Sequence, residues 1–168
     1  MIRKTLTDTP HETAGVVAPP PLIALAAILI GVALDWLAPA YVLSLMLSLQ
    51  TRIALGLLLA VLGCLLAFGG MQSFTRAGTN VNPYRPTLAL STTGIYAYLR
   101  NPMYVGLGFL VAGIGIGLAS DWTLVMLVVG AVAIHVGVVK REERYLEATF
   151  GQAYRNYKDT VPRYGWPF

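Results

Sequence analysis

Charged residues are scarce in this chain. Asp, Glu, Lys and Arg make up 12% of its 168 residues, about half the share of a typical soluble domain, and 56% of the residues are hydrophobic. The single cysteine, Cys64, rules out a disulfide framework, and its place in an apolar run indicates a small packing residue. Because the chain also lacks metal-ligand spacing, a Ser-x-Gly elbow and a phosphate-binding glycine loop, metal chemistry, hydrolysis and ATP use lack support.

The hydrophobic residues are gathered in four long blocks. These are residues 22–37, 53–71, 103–119 and 122–139, each close to the roughly 20 residues with which a helix crosses a bilayer. Apart from His135, Asp35 is the only acid or base within them. We therefore predict an all-α membrane protein with about four transmembrane helices, of which the third is short and rich in glycine.

The first 20 residues do not resemble a cleaved signal peptide. Asp8, Pro10, His11 and Glu12 stand where a signal peptide has its apolar core. Three prolines at positions 19–21 are expected to stop the first helix from continuing into this segment. We predict a flexible cytoplasmic tail.

The basic residues predict the orientation. With four spans, both termini and the middle loop share one side, and every Lys and Arg except Arg52 lies there. The positive-inside rule makes this side cytoplasmic. The net charge of +4 is then a signal of topology, with some attraction to anionic lipid, and gives no support for nucleic-acid binding.

The chain divides into three predicted parts. Residues 1–20 form the tail, residues 21–71 a transmembrane hairpin, and residues 72–168 a core with a loop over the cytoplasmic mouth, a second hairpin and an amphipathic C-terminal helix. Small residues recur at helical spacing and predict close helix packing. They are Gly56, Ala60, Gly63, Ala67, Gly106, Gly113 and Gly117. Gly106 and Gly108 could also leave room for a ligand at the cytoplasmic end.

Two polar segments, residues 94–106 and 142–163, flank the last two apolar blocks. They place arginine, paired carboxylates and tyrosines at the edge of hydrocarbon, where such groups are costly unless they have partners or a task. Arg100 fits either a membrane-edge anchor or a group that grips a carboxylate. Asn101 is a natural helix cap and Pro102 suits the first helical turn.

Aromatic and histidine side chains near these segments leave two interpretations open. Tyr96 and Tyr104 fit interfacial aromatics or rings that face a ligand cation. His135 lies seven residues before Glu142, hence on the same helix face, and fits either a satisfied buried histidine or a catalytic one.

Several motifs in the second half of the chain carry a specific resemblance. They are Thr93-Gly94-Ile95-Tyr96, Arg100-Asn101-Pro102-Met103-Tyr104-Val105-Gly106, Glu142-Glu143, Phe150-Gly151-x-x-Tyr154-x-x-Tyr157 and Val161-Pro162-Arg163. In order and spacing the chain resembles the integral-membrane methyltransferases that include isoprenylcysteine carboxyl methyltransferase and phosphatidylethanolamine N-methyltransferase. The likeness covers roughly residues 74–163.

The resemblance implies that S-adenosylmethionine binds at the cytoplasmic mouth and that a small lipidic acceptor arrives sideways from the membrane. It also implies a bacterial protein of the inner membrane. The implied cofactor contacts are Leu88, Ala89, Leu90, Ser91, Tyr96, Asn101, Pro102, Met103, Tyr104 and Glu142. The candidate catalytic residues are Arg100, Glu143 and His135.

Two departures from the family pattern concern the acceptor. Asn101 stands where the carboxyl methyltransferase branch usually has histidine, and Val138 stands where enzymes that act on prenylcysteine carry an arginine. Prenylcysteine is therefore predicted to be a poor substrate unless Lys140 or Arg141 substitutes. A carboxylate acceptor needs no base, whereas an amine or thiol needs a proton acceptor such as Glu143 or His135.

Two other classes of function remain as alternatives. Membrane sterol reductases have a similar C-terminal half and use a nicotinamide cofactor, but this chain has few basic residues to hold a 2′-phosphate. The second alternative is a non-catalytic membrane packing protein. It is disfavoured because the polar groups at the mouth would then cost free energy without serving a task.

The predicted topology can be tested by cysteine labelling. In a Cys64→Ala background, single cysteines at positions 8 and 165 are expected to react only with a reagent that reaches the cytoplasmic face, because an even number of spans returns the chain to one side. Opposite sidedness of the two positions would mean an odd number of spans.

Overall fold

The computed structural model describes residues 13–80 and 85–165, which form helices joined by turns and loops. The helices are α1 (Pro20–Leu37), α2 (Val42–Met46), α3 (Leu49–Ala77), α4 (Pro102–Leu118), α5 (Asp121–Ile134), α6 (Lys140–Phe150) and α7 (Gln152–Thr160). A 3₁₀ turn covers Gly94–Ala97, and a π-helical turn, His135–Val139, joins α5 to α6. These ranges contain no β-strand, so the predicted all-α fold is confirmed.

Three helices are long and apolar enough to cross a membrane. They are α1, α3 and the continuous helix Asp121–Phe150, which comprises α5, the π turn and α6. α4 is equally apolar but has 17 residues, and it is the block that the sequence marks as short and glycine-rich. Large apolar side chains such as Leu29, Leu57 and Phe68 are exposed on the outer faces, as expected where hydrocarbon surrounds a protein.

The backbones of α3 and α4 approach each other closely at two pairs of glycines. A Cβ atom on Gly63 would lie 2.5 Å from the Gly106 carbonyl oxygen, and one on Gly113 would lie 2.6 Å from the Gly56 carbonyl oxygen. These distances leave no room for a side chain, so the expected close packing is confirmed at these four positions. Gly117 differs, because a Cβ atom there would meet open space.

Two carboxylates at the end of the bundle away from the C-terminal helices are paired within the protein. Asp35 accepts hydrogen bonds from the Ser120 hydroxyl and the Trp122 N–H. Asp121 accepts from the two N–H groups that open α2. The two carboxylates therefore tie α1 and α2 to the start of α5, which offsets the cost of placing acids at a membrane edge.

α3 continues beyond the apolar block from which it was predicted. It ends at Ala77, and Gly78 at φ +65° closes it with an N–H bond to the last turn. Glycine supplies this left-handed cap at low cost. The loop before α4 therefore begins at Gly78 instead of residue 72, and the predicted boundary at residues 71 and 72 falls inside the helix.

The C-terminal segment is helical and amphipathic as expected, but it forms two helices. Gly151 adopts φ +55° and ψ −126° between α6 and α7, a conformation that favours glycine. Because the chain turns there, α7 brings its tyrosines into a buried cluster. The cluster comprises Tyr154, Tyr157 and Val161, packed against Leu90, Leu146 and Phe150.

The glycine contacts predict an asymmetric response to the smallest side chain. Gly113→Ala is expected to lower the free energy of unfolding by about 1–3 kcal/mol, because the methyl group overpacks the α3–α4 contact. Gly117→Ala on the same helix is the matched control and should leave stability unchanged or slightly higher. Denaturant titration in detergent micelles measures both, and equal stabilities would contradict the packing role.

Candidate active site

A cavity of about 560 Å³ lies where α3, α4, α6 and α7 meet the loop before α4. Most of the predicted site residues line it, and they come from the loop before α4 and from both polar segments. They are Ala89, Leu90, Ser91, Tyr96, Arg100, Asn101, Met103, Tyr104, Glu142 and Glu143. The fold therefore brings together side chains that are far apart in the sequence.

The loop before α4 is held against the cavity by side-chain contacts. The Tyr145 hydroxyl accepts from the Thr87 N–H at 3.1 Å, and Thr79 Oγ1 accepts from the N–H groups of Leu88 and Ala89 at 3.0 and 3.3 Å. Ala89 is buried at the cavity wall, whereas the Leu88 side chain is 47% exposed and does not line the cavity.

Pro102 is the other predicted cofactor contact that is not part of the cavity lining. It is fully buried in the first turn of α4, next to Gly70 of α3. Proline suits this position because the first turn loses no helical hydrogen bond there. Its contribution is therefore to the start of the helix that carries Met103 and Tyr104.

Glu142 is a carboxylate at this cavity without a cationic partner. The Tyr104 hydroxyl lies 2.8 Å from Oε1 and 2.9 Å from Oε2 of Glu142, so Tyr104 donates to the carboxylate. Among residues 13–80 and 85–165, no lysine or arginine forms an ion pair with Glu142. A carboxylate with one neutral donor can accept further hydrogen bonds and favours a positively charged ligand group.

The neighbouring Glu143 is bound by two arginines. Arg163 donates to Glu143 from Nε and Nη2 at 2.8 and 2.7 Å, and Arg100 donates from Nη1 at 2.9 Å. The hydrogen bonds to Glu143 raise the pKa of Arg163 above its already high range. With both oxygens engaged by cations, Glu143 is suited to holding the fold together and is a poor acceptor for a substrate proton.

Asn101 takes the predicted N-cap position of α4, but its side chain does not cap the helix. Instead Asn101 Nδ2 donates to the Arg163 carbonyl oxygen at 3.1 Å. The Arg100 N–H donates to the Pro162 carbonyl oxygen at 3.0 Å. These two bonds and the ion pairs of Glu143 hold residues 162–163 against the start of α4.

Tyr96 contributes a neutral aromatic group to the wall. Its carbonyl oxygen accepts from the Tyr157 hydroxyl at 2.7 Å, and its ring packs on Phe74 with centroids 5.0 Å apart. Burial raises the pKa of Tyr96, and the nearby Tyr157 and Glu142 add to the effect. The hydroxyl therefore stays protonated at physiological pH.

Two buried polar atoms at the cavity lack a hydrogen-bond partner in the described part of the chain. They are Ser91 Oγ and Arg100 Nε. An unsatisfied buried group costs about 1–3 kcal/mol, which a bound polar ligand would offset. The cavity thus combines free donors with the carboxylate of Glu142, a set of groups suited to a ligand that carries both an anion and a cation.

His135 lies at a different cavity from Glu142, contrary to the expectation that they share a helix face. The π turn begins at His135 and ends before Glu142, and its i→i+5 bonding advances the helix by less rotation per residue. His135 therefore lines a second cavity of about 470 Å³, with its Nδ1 2.8 Å from the Tyr164 hydroxyl oxygen.

Comparison with known protein families matches residues 51–153 to the model of the phospholipid methyltransferases. The matched range is more than half of the chain and includes α4, α5, α6 and the residues of the first cavity between Gly63 and Leu146. The chain belongs to the phospholipid methyltransferase family. It is therefore a membrane methyltransferase. No curated protein and no solved structure matches it.

The N-terminal segment of this phospholipid methyltransferase family member contributes to the larger cavity, which the sequence did not indicate. Ala14 and the prolines at positions 19–21 line it, although residues 1–20 were expected to form a flexible cytoplasmic tail. The proline run at the start of α1 was the only signal at these positions. Residues 1–12 lie outside the described residues, so the prediction of flexibility stands for them as a prediction.

Two hydrogen bonds attach this N-terminal segment to the helix that carries Glu142. The Val17 N–H donates to the Gly137 carbonyl oxygen at 3.2 Å, and Arg141 Nη1 donates to the Gly15 carbonyl oxygen at 2.8 Å. Gly137 belongs to the π turn, whose bonding is irregular enough to leave its carbonyl available. Arg141 is thus engaged by the protein itself.

Cys64 was expected to be only a packing residue, yet it lines the cavity. It lies on α3 next to Gly63, at the close contact with α4. As the only cysteine of the chain, it provides a built-in chemical probe of this wall.

The contacts of Glu143 predict a specific loss of stability. Glu143→Gln is expected to lower the free energy of unfolding by about 1–3 kcal/mol, because it leaves two arginines, one of them only 6% exposed, without their carboxylate. Glu147→Gln on the same helix is the control, since Glu147 pairs with Lys158 at the surface, and it should change stability little. Similar losses in both variants, measured by denaturant titration, would contradict the structural role of Glu143.

Proposed function

We propose that this protein transfers the methyl group of S-adenosylmethionine to an apolar acceptor that reaches it from the membrane. Membership in a methyltransferase family supports the reaction type. Glu142 carries the assignment of the cofactor to the larger cavity, because it is a carboxylate that no described cation neutralises. When bound, S-adenosylmethionine supplies an electrophilic methyl group on a positive sulfur.

The residues of the cavity fit the charged groups of this cofactor. Glu142 would bind its ammonium group, and the unpaired donors Ser91 Oγ and Arg100 Nε would bind its carboxylate. Tyr96 and Tyr104 present aromatic faces, which attract a cation such as the sulfonium. The volume of about 560 Å³ lies in the range of pockets that hold ligands of this size.

The chain contributes mainly alignment. Tyr104 is fixed by its hydrogen bonds to Glu142, and the same carboxylate would hold the cofactor, so one residue sets the position of both. The apolar part of the wall, from α3 and α4, excludes water from the methyl group. Methyl transfer is an in-line displacement, for which orientation and desolvation account for much of the rate.

Calorimetry with S-adenosylhomocysteine tests this proposal. The purified protein should bind this product, which keeps the ammonium and carboxylate groups, and should not bind NADPH. Glu142→Gln is expected to weaken binding by about 1.5–3 kcal/mol, the usual range for a charged hydrogen bond. Glu147→Gln should bind like the wild type. A wild-type protein that ignores S-adenosylhomocysteine would refute the proposed function, and unchanged affinity of Glu142→Gln would remove that residue from the site.

Cys64 gives a second measurement on the same samples. Since it lines the cavity, bound S-adenosylhomocysteine should slow its reaction with a small neutral thiol reagent. The protection should require a higher ligand concentration in Glu142→Gln than in Glu147→Gln. Protection that is absent in the wild type despite measured binding would place the ligand elsewhere.

A further inference from the structure

The second cavity, of about 470 Å³, lies between α1, α4 and α5. Two side chains, Tyr104 and Leu107, line both this cavity and the larger one. The two cavities therefore adjoin at these side chains. In-line transfer of a methyl group requires the reacting atoms to come within about 3–3.5 Å of each other, so the two ligands would have to meet at this common border.

The wall of the second cavity is almost entirely apolar. Its described lining contains no Asp, Glu, Lys or Arg, and its polar side chains are Tyr104, His135 and Tyr164. Val128 and Val132, which line it, are 63% and 59% exposed, so the cavity opens on a face covered by hydrocarbon. A molecule with an apolar chain can enter there from the lipid without crossing water.

Two arginines near this cavity are already engaged, and the exposed Lys140 is not part of its described lining. Arg163 binds both oxygens of Glu143, and Arg141 donates to the Gly15 carbonyl oxygen. Val138, which stands where the resembling prenylcysteine enzymes carry an arginine, is a fully buried apolar residue. A carboxylate drawn into the second cavity would find no free positive partner in its wall, and burial of an unpaired charge is costly.

On this basis, which rests on the proposed function, we propose that the second cavity binds the methyl acceptor as a neutral apolar molecule with an N–H, S–H or O–H nucleophile, and that His135 receives its proton. His135 is the residue of the lining that can take a proton at neutral pH. When Nδ1–H donates to the Tyr164 oxygen, Nε2 carries the free lone pair.

The step balances with these groups alone. The bond from the acceptor atom to the methyl carbon forms while the bond from that carbon to the sulfonium sulfur breaks, and the electron pair of the broken bond stays on sulfur. The proton of the acceptor atom passes to His135 Nε2 and then to solvent. A carboxylate acceptor would need no such proton transfer.

Four probes that share one alkyl chain test the acceptor class: dodecylamine, dodecanethiol, 4-dodecylphenol and dodecanoate. Transfer of a radiolabelled methyl group to each is measured with purified protein in micelles. At least one of the first three should be methylated, and dodecanoate should not. Methylation of dodecanoate alone, or of none of the four by protein that binds S-adenosylhomocysteine, would overturn the proposal. If the wild-type protein does not bind S-adenosylhomocysteine at all, the proposed function itself is refuted.

A pair of matched variants tests the place of the acceptor. Gly108 lines the second cavity, whereas Gly117 of the same helix does not, and a Cβ atom at either would meet open space. Gly108→Leu should raise KM for the methylated probe about tenfold or more by filling the cavity, with S-adenosylhomocysteine affinity unchanged. Gly117→Leu should behave like the wild type. Equal KM values for the two variants would exclude the second cavity.

The role of His135 is tested by its pH profile. His135→Gln should lower kcat about 100-fold and abolish the loss of rate at acid pH that a protonated histidine causes in the wild type. Tyr164→Phe keeps the histidine and should shift this acid limb without abolishing it. The charged groups that face His135 are Arg163, Lys140 and Glu143, so Lys140→Gln serves as an electrostatic control. The profiles are measured with cofactor saturating at every pH, so that protonation of Glu142 does not limit the rate, and an acid limb of kcat that persists in His135→Gln would overturn this role.

Discussion

The ion pairs of Glu143 with Arg100 and Arg163 are the constraint on which the larger cavity depends. They join α6, the start of α4 and the C-terminal residues at one point, and bonds from Asn101 and Arg100 to residues 162–163 reinforce the junction. Three charges at the edge of a membrane are tolerable because they face one another. The neighbouring Glu142 is left without an ion pair among the described residues, so we propose different roles for the two adjacent acids.

Close backbone packing then determines which residues line the larger cavity. The glycine contacts between α3 and α4 bring Gly63 and Cys64 opposite the helix that carries Tyr104. Larger residues at these contacts would move the two helices apart and widen the cavity. Because Tyr104 and Leu107 border both cavities, the position of α4 also sets the distance between the proposed cofactor and the proposed acceptor.

The π turn is the second local feature with consequences for function. It rotates the residues before it relative to those after it, so His135 and Glu142 serve different cavities. It also leaves the Gly137 carbonyl oxygen free to bind the Val17 N–H, which helps to hold the N-terminal segment against the larger cavity. One irregular turn therefore separates the two proposed ligands and fixes part of the wall. π turns within long helices are often found at functional sites for such reasons.

The sequence by itself determined the helical membrane class, the family and part of the cavity wall, because apolar block length and short motifs depend on local chemistry. It also indicated the glycines at the α3–α4 contact, since small residues at helical spacing have few other uses in lipid. Only the tertiary structure decided which of Glu142 and Glu143 lacks a cationic partner, since that depends on Arg163 reaching Glu143 from the C-terminal segment. The separate place of His135 likewise depended on the π turn, because a spacing of seven residues predicts a shared face only in a regular α-helix.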